Sequence, residues 1–206
     1  GRVVLPVWLA EEIFGERVLR QVAVKVFFLP EGMPPSSPEA DRWADSVAEE
    51  AVALCRVEHP NVVRFYSLQR DVPAGLLGLA MEYVPGTSLE GALLEQGRLA
   101  QEAVLIAGLD VAWALAAVHD AGLVHGDVKP SNAIRGASGY KLIDFGIAAD
   151  LAPARAPDAT VIGTPGYLAP ERLHGGAPAS PATDLYALGV TLYKLRTGAM
   201  PAIPAP

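Results

Sequence analysis

A short stretch near the middle of the chain carries the residues best suited to chemistry. The sequence VHGDVKPSN covers residues 124–132, and IDFG follows at residues 143–146. A carboxylate such as Asp127 can orient a hydroxyl group, and a lysine two residues later can neutralise phosphate charge. An amide at Asn132 and a second carboxylate at Asp144 supply oxygen ligands of the kind that Mg²⁺ prefers. Together these groups could move a phosphoryl group from Mg-ATP to a hydroxyl.

The N-terminal part of the chain must position these groups with a small sheet and one helix. Residues 3–10 and 19–29 are rich in Val, Leu, Phe and Trp, which predicts two strands with a polar turn between them. Apolar residues at i, i+4 and i+7 predict a helix over residues 38–57. Two further strands are expected at residues 62–68 and 76–83.

The C-terminal part is predicted to be mainly helical. A short helix is expected over residues 89–95 and a long one over residues 101–121, which leads the chain into the central motif. Segment 184–197 has apolar residues on every face, which is typical of a buried helix. The longest apolar run, 103–118, is interrupted by an aspartate and is shorter than the roughly 20 residues that a bilayer requires. We therefore expect a buried helix and no membrane span.

Composition narrows the class of protein. The chain has 206 residues, 51% of them hydrophobic, which is enough to form a sizeable core. A net charge of -7 disfavours nucleic acid as a partner, because a phosphate backbone would be repelled. The single cysteine, Cys55, fits a reducing compartment, and no signal peptide is recognisable, so we expect a cytoplasmic protein.

The order of the motifs resembles that of a eukaryotic-like (Hanks-type) Ser/Thr protein kinase of the bacterial kind. Besides the central stretch, the resemblance involves VAVK at 22–25, MEYVPG at 81–86 and GTPGYLAPE at 163–171. It implies an α+β, protein-kinase-like two-lobe fold. The N-terminal lobe, residues 1–84, would hold a small antiparallel sheet and one helix. The C-terminal lobe, residues 85–206, would be mainly helical and truncated after its central helix.

The resemblance assigns roles to the central residues. Asp127 would orient the substrate hydroxyl and Lys129 would stabilise charge on the transferring phosphoryl group, while Asn132 and Asp144 would bind Mg²⁺. His125 would be a packed histidine stacked with Phe145 rather than a catalytic base. Asp184 would anchor the backbone of the central loop. The implied cofactors are ATP and Mg²⁺, and the implied partners are protein substrates with Ser or Thr.

A second set of residues would bind the nucleotide. Lys25 would reach the ATP phosphates and pair with Glu50, although Glu49 is an alternative partner. Taken alone, Lys25 could equally pack its stem and extend its head into water. By resemblance, adenine would be held between apolar side chains and by backbone groups of the segment that joins the lobes. The full set of predicted nucleotide-binding residues is Lys25, Glu50, Ala23, Val7, Met81, Glu82, Val84 and Ile134.

Three departures from the family pattern carry expectations of their own. The phosphate-binding loop is degenerate, with one glycine in residues 1–7. Gly126 replaces the arginine that binds a phosphorylated activation loop, so activity should depend less on phosphorylation of Thr160. The chain ends after the central helix, so Glu171 would lack its arginine partner, at a cost of about 1–3 kcal/mol. A partner or a missing segment would then cover an exposed apolar face on that helix.

Two other functions stay open. A catalytically impaired pseudokinase or nucleotide-binding scaffold would fit the degenerate loop and the truncated lobe, although the retained Lys25, Glu50 and central residues argue against decay. A small-molecule phosphotransferase of the aminoglycoside type shares the His-Gly-Asp form of the central motif. Lys129 and the GTPGYLAPE segment argue against that alternative.

Overall fold

The chain folds into two compact units. A computed structural model describes residues 7–145, 164–175 and 177–202. The first unit comprises residues 1–57 and 63–83, and the second comprises residues 58–62 and 84–206. Residues 1–6 of the degenerate loop at residues 1–7 and the predicted phosphorylation site Thr160 lie outside the described residues. The lobe boundaries placed at residues 84 and 85 stay a prediction.

The first unit contains an antiparallel sheet of four strands. These are β1 (Val7–Phe14), β2 (Arg17–Phe28), β3 (Phe65–Asp71) and β4 (Leu76–Glu82). Their spatial order is β1-β2-β4-β3, so β2 and β4 lie in the centre and are paired on both sides. Their inner side chains, among them Phe27 and Leu79, are buried and form part of the core.

The hairpin of β1 and β2 corrects the predicted turn. The polar residues 11–17 were expected to separate two strands, yet the strands continue to Phe14 and restart at Arg17. The turn is limited to Gly15 and Glu16, and Gly15 takes a left-handed φ of 61°. Most side chains of the edge strand β1 are exposed, so glutamates fit there without cost and their presence does not indicate a turn.

Helix α1 (Pro38–Cys55) packs against β3. Its start is set by Ser37, whose side chain accepts a hydrogen bond from the Ala40 N–H at 3.1 Å, and by the proline that follows. One stripe of the helix is buried, which agrees with the predicted apolar spacing. The strand predicted at residues 62–68 begins only at Phe65, because Val62 instead forms a bridge with Leu142 in the second unit.

The second unit is mainly helical, with one small hairpin. Its elements are α2 (Leu89–Gln96), α3 (Gln101–Asp120), β5 (Ala133–Gly136), β6 (Gly139–Leu142), α4 (Pro170–Gly175) and α5 (Pro181–Thr197), with a single 3-10 turn at Pro130–Asn132. Helix α3 packs against α5 and β6 and forms the centre of this unit. The predicted α+β fold class is confirmed.

Helix α5 is less enclosed than its composition predicted. It begins at Pro181, where Ser180 and Thr183 form a reciprocal capping box. Leu195 is fully buried, but Leu185 is 55% exposed and Tyr193 is 47% exposed. The expectation of a helix buried on every side is therefore wrong, and the expected exposed apolar face is present.

Helix α3 also exposes apolar side chains on one face. Val111 and Leu115 are buried, whereas Leu105, Leu109 and Trp113 are about three-fifths exposed, at 59%, 61% and 62%. The prediction of a fully buried helix is thus wrong for this face. By length and composition α3 is the one helix among the described residues that could cross a membrane, and 33% of its most apolar window is buried. This is weak evidence, because core helices pass the same test.

Candidate active site

The loop at residues 124–132, hereafter the central loop, is held by one buried carboxylate. Asp184 at the start of α5 is 1% exposed. Its Oδ2 accepts the His125 N–H at 2.8 Å and its Oδ1 accepts the Gly126 N–H at 2.9 Å. The His119 Nε2 lies 2.9 Å from the same Oδ2. These bonds satisfy a carboxylate that burial alone would destabilise, and the predicted anchoring by Asp184 is confirmed.

His125 is a packed residue. Its Nδ1 accepts the Asp127 N–H at 3.2 Å, so its Nε2 carries the proton and donates to the Ile143 carbonyl at 2.9 Å. The ring centroid lies 4.6 Å from that of Phe145. Burial lowers the pKa of His125, although the nearby Asp184 carboxylate acts in the opposite direction. The imidazole is therefore neutral and structural, as predicted.

The Asp127 side chain is clamped by donors from two segments. Its Oδ1 accepts the Thr164 N–H at 3.1 Å and the Thr164 hydroxyl at 2.6 Å. Its Oδ2 accepts the Lys129 ammonium at 2.5 Å and lies 3.4 Å from the Asn132 Nδ2. The Thr164 hydroxyl in turn accepts a hydrogen bond from Lys129 at 2.9 Å. The carboxylate therefore has a defined orientation, and the side chains of Asp127, Lys129 and Thr164 form a closed ring.

This ring is suited to chemistry on an alcohol beside a phosphate. A fixed carboxylate accepts the hydrogen bond of an alcohol and orients its oxygen for attack. An adjacent ammonium provides positive charge where the oxygens of a transferring phosphoryl group would collect negative charge. Asp127 and Lys129 are 15% and 16% exposed, so both remain accessible to a ligand while water screens their charges only in part.

Asn132 and Asp144 are brought to the same end of the β5–β6 hairpin. The Asn132 carbonyl accepts the N–H of Ile143, the residue before Asp144, at 2.8 Å. The Asn132 Nδ2 donates to the Asp127 carbonyl at 2.8 Å, which leaves the amide oxygen facing other groups, among them the Ser131 hydroxyl at 3.3 Å. Asp144 has a φ of 59°, a strained value for a residue other than glycine. Such strain is common where a side chain is held for function.

In the first unit, the sheet register brings four predicted nucleotide residues to one face. Val7 pairs with Lys25 and Ala23 pairs with Met81, and residues paired across antiparallel strands point to the same side. Lys25 is 7% exposed, so the interpretation in which its head extends into water is wrong. On α1, Glu50 is half-buried.

The remaining residues predicted to contact adenine differ in their burial and in their hydrogen bonds. In the first unit, Glu82 exchanges backbone and side-chain hydrogen bonds with Arg64. In the second unit, Val84 is buried and its carbonyl accepts the Gly86 N–H at 3.0 Å. Gly86 lies against the hairpin strand that carries the half-buried Ile134, and a Cβ at Gly86 would lie 1.8 Å from the Arg135 carbonyl oxygen.

Similarity to known proteins decides the family. The family described as the protein kinase domain matches residues 18–204, which is most of the chain. The chain belongs to the protein kinase family. The identification applies to both units, since the matched residues include the VAVK strand, the central loop and the APE segment at 169–171.

Bacterial relatives of this kinase domain include several Ser/Thr protein kinases. The Streptomyces coelicolor kinase PkaB is 38% identical over 205 residues, which is 95% of this chain and 46% of PkaB. The Corynebacterium glutamicum kinase PknA is 33% identical over 201 residues, covering 95% of this chain and 40% of PknA. The Mycobacterium tuberculosis kinase PknL is 39% identical over 154 residues, with coverages of 74% and 38%. The chain thus spans less than half the length of these relatives.

Gly126 and Glu171 are two described residues on which the expected departures from the family pattern bear. Gly126 has a φ of 79°, a backbone conformation that glycine accepts without strain. The buried Arg172 approaches the Gly126 carbonyl with Nη1 at 3.5 Å. Glu171 is exposed, so the expected penalty for a partly buried and unpaired carboxylate is wrong because water hydrates the side chain.

Sequence reasoning missed some residues that support the site. Thr164 was noted only as part of the GTPGYLAPE segment, although its hydroxyl contacts both Asp127 and Lys129. His119 was given no role, yet it shares the Asp184 carboxylate. A hydroxyl residue placed just before Pro-Gly in the GTPGYLAPE segment was the available signal for Thr164. No spacing rule would have paired residues that are 37 or 65 positions apart.

Proposed function

We propose that this kinase domain transfers the γ-phosphoryl group of ATP to serine or threonine hydroxyls of proteins. The observation that carries the proposal is the Asp127 carboxylate, which is held by Thr164, Lys129 and Asn132 in one orientation. The Ser/Thr kinase names of the relatives support the same substrate class. An isolated aspartate would suggest little, but a clamped aspartate beside a lysine suits phosphoryl transfer to an alcohol.

The central loop would act mainly by positioning. Asp127 would accept the hydrogen bond of the substrate hydroxyl and turn its oxygen toward the γ-phosphorus. It would take up the proton as the new O–P bond forms and the bond from the γ-phosphorus to the bridging oxygen breaks, which releases ADP. Lys129 lies within hydrogen-bond distance of Asp127 and stabilises negative charge on the phosphoryl oxygens. His125 is fully buried and both of its ring nitrogens bond to backbone groups, so it supports the loop and takes no part in the proton transfer.

Asn132 and Asp144 would hold the metal. One amide oxygen and one carboxylate suit Mg²⁺, which usually keeps several waters and takes its remaining ligands from phosphates. Mg²⁺ supplies positive charge against the phosphate oxygens when it is bound. The backbone bond between Asn132 and Ile143 supports this assignment, because it keeps the two ligand-bearing segments side by side.

The nucleotide would be recognised largely by the first unit. The common sheet face of Val7, Ala23, Lys25 and Met81 supports an apolar surface for adenine with one cation for the phosphates. The buried Lys25 needs an acidic partner, and the half-buried Glu50 is better suited to this than the exposed Glu49. By resemblance the backbone of Glu82 and Val84 and the side chain of Ile134 complete the adenine contacts.

Transfer of radiolabel from [γ-³²P]ATP tests the proposal. The purified protein is incubated with MgCl₂ and a generic protein acceptor, and label is measured in the acceptor and in the kinase itself. Asp127→Asn keeps the shape of the side chain but removes the charge, and we expect it to lower the rate at least about 100-fold. Asp120→Asn makes the same chemical change at an exposed position in the same unit and should leave the rate unchanged.

The outcomes separate the alternatives. Equal labelling by the wild type and by Asp127→Asn would reject the proposed reaction. Thermal stabilisation by Mg-ATP without any transfer would favour a nucleotide-binding scaffold. Labelling of an amino sugar but of no protein would favour a small-molecule phosphotransferase.

A further inference from the structure

A lysine near the end of α5 joins three segments of the second unit. The Lys194 ammonium lies 3.0 Å from both carboxylate oxygens of Glu90, in the first turn of α2. It also lies 3.2 Å from the Tyr167 hydroxyl. We refer to Glu90, Tyr167 and Lys194 as the Lys194 cluster. An ammonium has three protons, and these contacts use all of them, so the cluster is satisfied internally.

The Lys194 cluster is connected to the surroundings of Asp127 through Tyr167. Tyr167 follows Thr164 by three residues, and Thr164 donates to Asp127. Tyr167 and Asp127 line a common cavity together with Arg172 and Thr183. A peptide advances about 3.3 Å per residue when extended, so side chains within a few residues of the acceptor can reach this cluster.

The Lys194 cluster contains one positive and one negative side chain, so its net charge is small. Glu90 and Lys194 are 33% and 19% exposed, so both can interact with a ligand. Burial lowers the pKa of Lys194, but the hydrogen bonds to Tyr167 and Glu90 outweigh this effect and raise it. Lys194 is therefore a cation at neutral pH and compensates the Glu90 carboxylate. A basic substrate residue would have to compete with an ammonium that is already in place.

We propose that Lys194 determines substrate specificity by occupying the Glu90 carboxylate, so that the kinase does not select basic residues beside the acceptor. The substrate class is then protein segments whose acceptor Ser or Thr has uncharged neighbours at the positions that reach the cluster. This inference rests on the proposed function. According to this inference, Glu90 would bind basic substrate residues only when Lys194 is replaced by an uncharged residue.

A peptide series tests the inference. Peptides with one acceptor serine carry Ala, Lys or Glu at each position from -3 to +3, and initial rates give kcat/KM for every peptide. For wild type we expect the Lys/Ala ratio to be about 1 at each position. In Lys194→Met, which keeps the apolar stem, the ratio should rise about fivefold at one position or more, because a partly exposed carboxylate becomes available.

Three further variants isolate the charge. Lys194→Arg keeps the cation and should retain the wild-type ratio. The double variant Lys194→Met with Glu90→Gln should return the Lys/Ala ratio to about 1, since no carboxylate remains. Glu90→Gln alone leaves Lys194 without its counterion and should raise the Glu/Ala ratio by a similar factor. Arg196→Met removes an exposed charge from the same helix and serves as the control for net charge.

The results distinguish this inference from the function on which it rests. Peptide phosphorylation with an unchanged Lys/Ala ratio in Lys194→Met overturns the inference and leaves the kinase activity established. An equal rise of the Lys/Ala ratio in the double variant also overturns the inference, because the preference for lysine would then not depend on the Glu90 carboxylate. No transfer by the wild-type protein to any peptide or to itself overturns the proposed function and the inference together. Should Lys194→Met fail to fold, the Glu/Ala ratio of Glu90→Gln decides.

Discussion

The Thr164 hydroxyl donates to Asp127 Oδ1 at 2.6 Å, across a separation of 37 residues. The same hydroxyl accepts a hydrogen bond from Lys129 at 2.9 Å. Thr164 therefore couples the GTPGYLAPE segment to both central-loop residues proposed to act in phosphoryl transfer. When this threonine is in place, Asp127 has one orientation and its charge is balanced.

Substitutions of Thr164 distinguish the contribution of its hydroxyl to the transfer rate from that of its methyl group. Thr164→Ser keeps the hydrogen bonds, so its transfer rate should stay within about threefold of wild type. Thr164→Ala removes contacts to two charged groups, and a combined loss of about 1.5–3 kcal/mol in the transition state should lower the rate about 10- to 100-fold. Initial rates with a peptide acceptor at saturating ATP measure the effect. Equal rates for the serine and alanine variants would contradict the role given to the hydroxyl.

Replacement of Asp184 should destabilise the second unit. Asn retains one carbonyl oxygen but points an amide group at N–H donors that now bond to a carboxylate. We expect Asp184→Asn to lower the free energy of unfolding by about 2–4 kcal/mol. Urea unfolding followed by tryptophan fluorescence measures the change, and Asp120→Asn at an exposed position should stay within about 0.5 kcal/mol. A loss as small as that of the control would show that the carboxylate is dispensable for stability.

The buried His125 predicts a loss of stability in acid. Burial lowers its pKa, so the native imidazole stays neutral at pH values where the unfolded one, with a pKa of about 6.5, binds a proton. The unfolded state takes up this extra proton, and the free energy of unfolding should therefore fall as the pH drops below about 6.5. One such group contributes at most about 1.4 kcal/mol per pH unit.

Comparison with a variant that cannot titrate isolates the contribution of His125. His125→Phe should be less stable at pH 7.5, since it loses the hydrogen bond to Ile143. Its stability should nevertheless fall less between pH 7.5 and pH 5.5 than that of wild type, as measured by urea unfolding. Parallel pH profiles for the two proteins would rule out His125 as a source of the acid sensitivity.

Two glycines allow a matched test of packing. A Cβ at Gly86 would lie 1.8 Å from the Arg135 carbonyl oxygen, so Gly86→Ala must displace the hairpin backbone. We expect a loss of at least about 2 kcal/mol. Gly189 is an exposed position of α5 with no heavy atom within 4 Å of an added Cβ. Gly189→Ala should stabilise the protein by about 0.5–1 kcal/mol, because alanine favours the helix. A Gly86→Ala variant as stable as the wild type would contradict the packing at Gly86.

The success of the sequence-based predictions depended on how local the signal was. Helix α1 was predicted within two residues of its observed end, because its stripe of apolar residues repeats within one element. The hairpin of β1 and β2 was predicted with too long a turn, because the polar composition of an edge strand resembles that of a loop. The exposed face of α3 was missed for a related reason, since apolar composition alone cannot tell which face of a helix meets a neighbour.

The sequence by itself determined the kinase family and the α+β class, and it placed Asp127, Lys129 and Asn132 in one short loop, because these signals lie close together along the chain. Only the tertiary structure decided that Asp184 holds the backbone of that loop, 58 residues away from Gly126, and that Lys194 meets Glu90 across 104 residues. Such contacts follow from the packing of α3 against α5 and of α2 against the β5 strand and the turn before it. A hydrogen bond between distant segments leaves no periodicity in the chain, so no local pattern predicts it.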